Sequence, residues 1–452
     1  MTDTIAAIAT ARAPAAIGIV RVSGPETLRV VDRVFAAQNG RPAAGQTPRG
    51  MVYGHMRMAE GAVIDDGLCV IFAPESSYTG EWAAELHCHG SAVVLDEVLR
   101  CAFAGGARQA RGGEFTQRAF LSGRMDLIQA EAVADLIDAE TAACAQNAAL
   151  QLSGAMSRGV EQVYDGLMDI TSRFYAAVDY PDEDIEPLEE RQIRDTLECC
   201  RGELRRLLDT FRRGRIMKQG IPTVLLGLPN AGKSSLLNAL LGYDRAIVTE
   251  VAGTTRDTVE EKACLGGQVL RLCDTAGIRT TRDSVEKIGV DRAVAAAEQA
   301  QLALVVLDGS APLTGEEERI FALSELAEHR ILVVNKSDLP RRAEISGFSG
   351  RFGHICHVCA RTGEGVDALG GIVKELYPET AGIGGALLTN SRQAEAVERA
   401  LGSVEQALSA MEAKLTPDAI LTDAETALEA LGELTGRRIR EDLVATIFSR
   451  FC

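Results

Sequence analysis

Residues 227–234 read Gly227-Leu-Pro-Asn-Ala-Gly-Lys-Ser234 and directly follow the apolar run 223–226. A buried strand that turns sharply into a helix presents free N–H groups at the start of the helix, and these groups can wrap a β-phosphate. Lys233 would then reach the β and γ oxygens, and Ser234 would offer its hydroxyl to Mg²⁺. The spacing therefore predicts a phosphate-binding loop between a strand and a helix.

Three further stretches follow in a fixed order: Gly253-Thr-Thr-Arg-Asp257, Asp274-Thr-Ala-Gly277 and Asn335-Lys-Ser-Asp338. Thr255 is the natural second Mg²⁺ ligand, so loss of the γ-phosphate would release its loop. Asp274 can hold the metal through water, and Gly277 can offer its N–H to the γ-phosphate. Asp338 can accept the N1 and N2 protons of guanine, a donor pair that adenine lacks. Four such stretches in order indicate a GTP-hydrolysing switch, against the alternative of a Gly-rich turn and some surface charges.

Composition is consistent with a large intracellular protein. The chain has 452 residues, 46% of them apolar, which predicts two to four domains with separate cores. It contains no apolar stretch of membrane-spanning length and no basic start typical of a signal peptide, so we expect a cytoplasmic protein without a membrane partner. The eleven cysteines have no framework spacing and are expected to be reduced thiols. The net charge of −17 argues against nucleic-acid binding by bulk electrostatics, so any such contact must be local.

The hydrophobic pattern divides the chain into segments and predicts a multi-domain fold. Short β-branched runs separated by Gly and Pro predict an α+β domain over residues 1–120. Helical periodicity over residues 121–218 begins at Asp126, with Gln129 placed to complete a capping box and Leu127, Ala130, Ala134 and Ile137 on one face. Residues 219–378 alternate strands and helices, as in an α/β P-loop domain of Ras-like type. Residues 379–452 are helical again, so we expect one helical domain with the GTPase domain inserted into it.

Two patterns of polar residues allow a functional and a structural interpretation. A basic helical stretch contains Arg201, Arg205, Arg206, Arg212, Arg213 and Arg215. It is either a solvated helix face or a surface that binds phosphate or a partner. Two groups of residues have the chemistry of metal ligands: His87-Cys88-His89, and His354 with Cys356, His357 and Cys359. Both lie on predicted strands, where alternate residues point to opposite faces, so we do not predict a metal at either.

Further stretches carry a family resemblance that covers the whole chain. They are Gly18-Ile-Val-Arg-Val-Ser-Gly24, Tyr78-Thr-Gly-Glu81, Gly113-Glu-Phe-Thr-Gln-Arg-Ala-Phe-Leu121, Met125-Asp-Leu-Ile-Gln-Ala-Glu-Ala132 and Ile447-Phe-Ser-Arg-Phe-Cys452. With the GTPase motifs, they resemble the bacterial tRNA modification GTPases called MnmE or TrmE, within the TrmE-Era-EngA-like GTPase family. The family's tail continues with Ile or Leu, Gly and Lys, whereas the sequence given ends at Cys452.

The resemblance implies a homodimer joined through N-terminal folate-binding domains. Arg21, Glu81 and Arg124 would contact a tetrahydrofolate derivative, either the 5-formyl or the 5,10-methylene form. With the FAD protein MnmG (GidA), such a chain would install a carboxymethylaminomethyl or aminomethyl group at carbon 5 of the wobble uridine of certain tRNAs. The folate would supply a one-carbon unit, and Cys452 would act as a catalytic thiol.

The resemblance also implies K⁺-stimulated hydrolysis, with K⁺ in the place of an arginine finger. Asn230, Thr249, Val251 and Thr254 would hold K⁺, and Glu286 would orient the attacking water. The guanine loop reads Cys359-Ala360-Arg361 where the family usually has Ser-Ala-Arg, and we expect the change to be tolerated because a backbone N–H recognises the base. The complete GTP-binding set is Asn230, Ala231, Gly232, Lys233, Ser234, Ser235, Thr249, Glu250, Val251, Ala252, Gly253, Thr254, Thr255, Asp274, Thr275, Ala276, Gly277, Asn335, Lys336, Asp338, Cys359, Ala360 and Arg361.

A different class of function shares every GTPase motif. A regulatory or ribosome-assembly GTPase would use its flanking domains only to bind a partner and would have no modification chemistry of its own. The N-terminal folate-like residues and Cys452 favour the modification enzyme, because a pure switch would not require them.

Overall fold

A computed structural model describes residues 3–179, 189–243, 260–273, 294–378 and 385–437. The chain forms two compact units, residues 1–134 with 429–452 and residues 135–428. Both are described separately below. The limits predicted for the four sequence segments stay a prediction.

The first unit is built on a seven-stranded sheet in the order β3-β4-β5-β6-β2-β1-β7. Its strands are β1 (Ile5–Ile8), β2 (Ala15–Ser23), β3 (Phe35–Ala37), β4 (Met51–Arg57), β5 (Val63–Phe72), β6 (Ala83–Gly90) and β7 (Arg108–Gln109). Helices α1 (Thr27–Val34) and α2 (Ala92–Ala104) pack on one face of the sheet. Val20, Leu86 and Leu95 are fully buried in this layer, which is the core of the unit.

Two helices follow the sheet, α3 (Glu114–Leu121) and α4 (Leu127–Ile137). The predicted capping box is confirmed: the Asp126 N–H donates to Oε1 of Gln129 at 3.0 Å, and the Gln129 N–H donates to Oδ1 of Asp126 at 2.8 Å. Leu127 and Ala130, on the predicted apolar face of α4, are fully buried, whereas Ile137 at the end of the same helix is 68% exposed. The buried part of this face is therefore the part next to the capping box.

The helices of the second unit outside its sheet domain are α5 (Ala142–Leu152), α6 (Ala155–Asp179), α7 (Glu190–Asp209), α8 (Phe211–Gln219) and α12 (Ser391–Glu412). The last helix of the described chain, α13, spans Pro417–Thr435. Leu197 and Leu204 recur on one side of α7 and are fully buried, and α7 packs against α6 and α12. Among the described helices, none combines the length and the apolar composition that crossing a bilayer requires.

A six-stranded sheet in the order β13-β12-β11-β8-β10-β9 forms the α/β part of the second unit. Its strands are β8 (Ile221–Leu226), β9 (Glu260–Leu265), β10 (Gln268–Cys273), β11 (Leu302–Asp308), β12 (His329–Asn335) and β13 (His354–Val358). Its helices are α9 (Lys233–Tyr243), α10 (Glu317–Ser324) and α11 (Val366–Leu376). The strand runs 223–226, 269–273 and 331–334 are confirmed within β8, β10 and β12.

Five of these strands, β8 and β10–β13, run parallel, and β9 pairs antiparallel with β10. Parallel strands end at the same edge of a sheet, so the loops after β8, β11, β12 and β13 are close together. The α+β first unit, the helices and the α/β sheet domain agree with the predicted fold class.

Candidate functional site

The loop between β8 and α9 requires glycine at two positions. Gly227 has φ 156°, and a Cβ there would lie 2.4 Å from the carbonyl oxygen of Val306. Gly232 has φ 97°, and its Cβ would lie 2.1 Å from Nδ2 of Asn335. Any larger residue would collide with the neighbouring strand ends, so the two glycines allow the loop to curl tightly before α9 begins.

Lys233, the first residue of α9, folds back over this loop. Its Nζ donates to the carbonyl oxygens of Gly227 at 2.7 Å and Leu228 at 2.9 Å. The ammonium group is thus fixed on the concave side of the loop, where phosphate oxygens can replace the carbonyls as acceptors. Ser234 and Ser235 follow in the first turn, and both are exposed.

Asn335, at the end of β12, connects the phosphate loop to the loop after β13. Its side chain is 3% exposed. Nδ2 donates to the carbonyl oxygen of Ala231 at 3.0 Å, and Oδ1 accepts from the N–H of Ala360 at 3.0 Å. One buried amide therefore fixes the relative positions of two loops that the sequence assigned to the phosphates and to the base.

Asp338 has two donors from the loop after β13. The Cys359 thiol donates to Oδ1 at 3.2 Å, and Arg361 donates to Oδ2 at 2.9 Å. The hydrogen bond from Cys359, with a smaller contribution from Arg361, lowers the pKa of Asp338. The carboxylate is therefore an ionised acceptor, as guanine recognition requires. The sequence predicted that Cys359 would be tolerated, but it did not predict this side-chain contact.

Asp308, at the end of β11, was missed by the sequence analysis. Its Oδ2 pairs with Nζ of Lys336 at 2.5 Å, and its Oδ1 accepts from Ser310. Burial opposes ionisation of Asp308, but the hydrogen bonds from Lys336 and Ser310 outweigh it and lower the pKa of the carboxyl. Lys336 itself has φ 63°, a strained value for a residue with a side chain. The sequence could have indicated Asp308, because it is the polar residue that ends an apolar strand, as Asn335 is.

A cavity of about 190 Å³ lies beside the phosphate loop. Asn230, Asp308 and Phe321 of α10 are among the residues that line it. Asn230 has φ 64°, so its backbone is held in the left-handed region next to this space.

Part of the predicted site falls outside the described residues. This part comprises Thr249, Glu250, Val251, Ala252, Gly253, Thr254, Thr255, Asp274, Thr275, Ala276, Gly277, Glu286 and Cys452. The described members of the nucleotide set, from the phosphate loop, Asn335 to Asp338 and the loop after β13, are brought together at one edge of the sheet.

In the first unit, Arg21 is held by an acid and two rings. Its Nε and Nη2 both donate to Oε1 of Glu85, at 3.0 and 2.7 Å. The guanidinium carbon lies 5.8 Å from the ring centre of Tyr78 and 5.7 Å from that of Phe115. The cation is therefore oriented by a carboxylate and flanked by aromatic surface, a setting that favours a planar partner.

Glu81 and Arg124 lie on segments that contact one another. Oε2 of Glu81 accepts from Arg118 at 3.0 Å. Ser122 donates to the carbonyl oxygen of Thr79 at 2.7 Å, which joins the loop that carries Glu81 to the turn that carries Arg124. The Arg124 side chain donates to the carbonyl oxygen of Pro74. Together with the contact between Arg21 and Tyr78, these bonds place the three predicted folate residues on neighbouring segments.

Arg118 is the residue of this region to which the sequence analysis assigned no role. It belongs to the stretch 113–121, and its side chain is 1% exposed and pairs with Asp3, Glu81 and Glu114. The spacing of Glu114 and Arg118, four residues apart in one helix, could have indicated the ion pair. No pattern of neighbouring residues in the sequence indicates the ion pair between Arg118 and Asp3.

The structure favours one interpretation for each of the two open patterns. Four arginines of the basic stretch, Arg201, Arg205, Arg206 and Arg212, pair with Glu198, Glu405, Glu203 and Glu328. These pairs favour a solvated helix face.

Neither cysteine pattern groups its side chains as ligands. The Cys88 thiol donates to the carbonyl oxygen of Gly18, while His89 lies on the other face and pairs with Asp65. Cys356 contacts the carbonyl oxygen of Gly365. The nine cysteines whose side chains the structure describes are free thiols.

Comparison with known proteins matches the whole chain. Two family models match: "MnmE helical domain" over residues 127–452 and "GTP-binding protein TrmE N-terminus" over residues 4–124. The tRNA modification GTPase MnmE of Symbiobacterium thermophilum is 41% identical across 100% of this chain and 99% of its own length. Its counterparts from Roseiflexus sp. and Geobacillus kaustophilus are 42% and 38% identical, each across 100% of this chain and 98% of their own length.

Among solved structures, the G domain of the T. maritima FeoB iron transporter is 25% identical and covers 34% of this chain and 96% of its own, with a TM-score of 0.26. The full-length relatives and the two family models agree with the motifs and the site geometry: the chain belongs to the MnmE (TrmE) family of tRNA modification GTPases.

Proposed function

We propose that this chain hydrolyses GTP and takes part in the modification of the wobble uridine of certain tRNAs. The observation that carries the GTPase part is Asn335, whose buried amide joins the phosphate loop at Ala231 to the base loop at Ala360, both at 3.0 Å. Because one side chain is bonded to both loops, the phosphate loop and the base loop are close enough to bind the two ends of one nucleotide. The relatives' name, tRNA modification GTPase MnmE, supports the tRNA part.

In the proposed nucleotide complex, the N–H groups of residues 230–235 and the ammonium of Lys233 bind the phosphates. Mg²⁺ would be bound by Ser234 and Thr255, with Asp274 holding it through water. Asp338 would accept from the guanine edge, which requires that Arg361 release its bond to Oδ2. Held by these residues, Mg²⁺ would supply positive charge to offset the charge that develops on the phosphate oxygens during transfer of the γ-phosphoryl group to water.

We further propose that K⁺ stimulates hydrolysis. Asn230, Thr249, Val251 and Thr254 would hold the ion, and its charge would act between the β and γ phosphates as a guanidinium does. Asn230 belongs to the phosphate loop, has φ 64° and lines the cavity beside the loop, which supports this assignment. Glu286 would orient the attacking water.

The substitution Asp338→Asn tests the guanine assignment. An amide can donate to the extra carbonyl of xanthine, whereas the carboxylate only accepts, so the variant should prefer XTP to GTP. The matched control is Asp367→Asn, a carboxylate in the first turn of α11 that has no place in the proposed site. A variant at Asp338 that keeps its preference for GTP would show that this loop does not bind the base.

For the modification chemistry, we propose an FAD-containing partner of the MnmG (GidA) type, a homodimer of this chain and a cytoplasmic location. Together the two proteins would build a carboxymethylaminomethyl or aminomethyl group at carbon 5 of the uridine, with a one-carbon unit from 5-formyl- or 5,10-methylene-tetrahydrofolate. Cys452 would supply a thiolate for covalent attack.

The proposed folate site comprises Arg21, Glu81 and Arg124. The guanidinium of Arg21, flanked by Tyr78 and Phe115, favours a planar or carboxylate-bearing ligand. Glu81, whose carboxylate is partly exposed, can accept from the amino and ring N–H groups of a pterin. The chemistry of the three side chains matches a molecule with a pterin at one end and carboxylates at the other.

The alternative is a pure GTPase switch, and folate binding separates the two. Trp82 is the only tryptophan of the chain and directly follows Glu81, so its fluorescence reports on this site. For a modification enzyme, titration of the full-length protein with 5-formyltetrahydrofolate should give saturable binding that Glu81→Gln weakens. Absence of binding by the wild type would favour the switch.

A further inference from the structure

Glu81 uses its two carboxylate oxygens differently. Oε2 accepts from Nη1 of Arg118 at 3.0 Å and from the hydroxyl of Ser23 at 3.1 Å. Among the described residues, no side chain or backbone group donates to Oε1. The side chain is 19% exposed, so the carboxylate is not sealed from solvent. One oxygen is thus anchored by the protein, and the other is open to a ligand.

Arg118 is a rigid anchor. It is 1% exposed, and its four terminal N–H groups have four acceptors: the carbonyl oxygen and Oδ1 of Asp3, both at 2.9 Å, Oε1 of Glu114 at 3.2 Å, and Oε2 of Glu81. A guanidinium with all of its terminal donors engaged cannot rotate without breaking several bonds. The position of Oε2 of Glu81 is therefore set by the packing of α3.

Ser23 forms the second hydrogen bond to Oε2 of Glu81, and the donor in this bond can be identified. Ser23 and Thr79 are both fully buried, and their hydroxyl oxygens lie 2.7 Å apart. Because the ionised carboxylate only accepts, Ser23 must donate to Glu81, and Thr79 must then donate to Ser23. The N–H of Glu81 also points to the Thr79 hydroxyl, at 3.4 Å. This closed chain of bonds fixes the backbone and the side chain of Glu81 together.

The charge balance leaves Glu81 able to attract a donor. Within the described chain, Arg118 is the one cation at ion-pair distance from Glu81, and it is shared with Asp3 and Glu114. Its positive charge is therefore divided among three carboxylates. Glu81 keeps part of its negative charge, which a ligand with adjacent N–H donors can neutralise.

We infer that Arg118 and Ser23 are positioning residues that hold Glu81 so that its Oε1 recognises an N–H donor edge, such as the amino group of a pterin. This inference rests on the proposed folate function and adds to it the residues that orient the recognising carboxylate. Neither residue needs to touch the ligand.

The test compares Ser23→Ala with the matched control Ser77→Ala in the full-length protein. Ser77 is also a buried serine of the first unit, and among the described residues its hydroxyl donates to the backbone carbonyl of Pro74 alone. Calorimetric titration would use two probes: 5-formyltetrahydrofolate, and an analogue in which a methyl group replaces the 2-amino group. We expect Ser23→Ala to weaken 5-formyltetrahydrofolate binding about tenfold, the size of one hydrogen bond to a charged group, and to leave analogue binding unchanged. Ser77→Ala should bind both probes as the wild type does.

Each of the other possible results contradicts one step of this proposal. If Ser23→Ala weakens both probes equally, Ser23 has a structural role only. If Ser23→Ala binds as the wild type does while Glu81→Gln loses affinity, Glu81 contacts folate but is not positioned by Ser23. If Glu81→Gln keeps full affinity, or the wild type does not bind, the folate site itself is wrong.

Arg118→Lys provides a second line of test. A lysine keeps the charge but cannot reach four acceptors, so it should also weaken the tetrahydrofolate probe more than the analogue. Trp82 fluorescence would first confirm that this variant is folded. A folded Arg118→Lys protein with wild-type affinity for 5-formyltetrahydrofolate would remove Arg118 from the positioning role.

Discussion

Replacing Glu114 by Gln should destabilise the first unit by an amount that depends on pH. Glu114 is 3% exposed, and its two oxygens accept from four N–H donors. Arg108 donates to both oxygens, at 2.5 and 2.9 Å; the Arg111 backbone donates at 2.9 Å and Arg118 at 3.2 Å. An amide replaces one of the oxygens by an NH₂ group, which would face at least two of these donors without an acceptor between them.

The pKa of Glu114 gives the size of the effect. Burial opposes its ionisation, but the bonds from Arg108, the Arg111 backbone and Arg118 outweigh burial and lower the pKa from 4.5 to about 2. This difference corresponds to about 3 kcal/mol of favourable interaction with the ionised form. Loss of one partner from a buried ion pair typically costs a similar amount, about 3–5 kcal/mol. We therefore expect Glu114→Gln to lower the free energy of unfolding of the first unit by about 3 kcal/mol at pH 7.

The direction of the pH dependence follows from the lowered pKa. The stabilisation is complete above the unfolded value of 4.5 and is lost as the pH falls toward about 2. At pH 4 the wild type should already have lost about 0.8 kcal/mol of this contribution, whereas the Gln variant has none to lose. The stability difference between the two proteins should thus be constant from pH 7 to about 5.5 and shrink below 4.5.

Urea unfolding monitored by Trp82 fluorescence measures this difference. Trp82 is the only tryptophan, and its carbonyl oxygen accepts from Gly24 at 2.9 Å and from Thr27 at 3.0 Å, so its signal reports on the first unit. With a urea slope of about 2 kcal/mol per M, the midpoint should fall by about 1.5 M. Glu26→Gln is the control, because Glu26 forms an exposed pair with Arg29 that should contribute at most about 0.5 kcal/mol. A Glu114 effect below 1 kcal/mol at pH 7, or one that does not shrink below pH 4.5, would refute the argument.

Four further outcomes are expected. GTP turnover should rise steeply with K⁺ and much less with Na⁺, and Glu286→Ala should slow turnover with little change in GTP affinity; equal rates in both salts would exclude the K⁺ mechanism. Asp308→Asn should weaken GTP binding about tenfold in a nucleotide titration, because Lys336 loses the carboxylate that holds it at 2.5 Å, and unchanged affinity would show that the pair is incidental. Cys359→Ser should bind GTP at least as tightly as the wild type, since a hydroxyl is a stronger donor to Asp338 than a thiol; a tenfold loss in the same titration would contradict this reading. Cys452→Ser should abolish wobble-base modification in a strain that lacks its own enzyme while GTP turnover continues, so a variant that still modifies tRNA would have only a structural cysteine.

Sequence patterns predicted the features that depend on neighbours in the chain. The strand before the phosphate loop, the glycines at 227 and 232 and the capping box at Asp126 each involve residues within a few positions of one another. Their outcomes follow from local sterics and backbone hydrogen bonding, which one sequence contains in full. The family assignment, confirmed along the whole chain, rests on the same local stretches.

Contacts between distant segments could not be predicted in this way. Asp3 and Arg118 are 115 residues apart, and Arg21 and Glu85 are 64 apart. Each pair meets only because β2, β6 and α3 pack in one unit. A charged residue at such a position has many possible partners in the sequence, and periodicity does not choose among them. Burial has the same limit: Ile137 lies on the predicted apolar face of α4, yet its side chain is 68% exposed.

The sequence motifs identified the proposed nucleotide-binding residues, but they did not predict the hydrogen-bond partners of those residues in the protein without nucleotide. Lys233 is bonded to two loop carbonyls, Asp338 to Cys359 and Arg361, and Lys336 to Asp308. Nucleotide binding has to exchange several of these bonds for new ones, so its free energy is a difference between two hydrogen-bonded states. A substitution such as Asp308→Asn therefore acts on both states, and the expected tenfold loss of affinity requires that Lys336 keeps its bond to Asp308 when GTP binds. The residues that hold Lys233, Lys336 and Asp338 before the nucleotide arrives therefore contribute to how tightly it is bound.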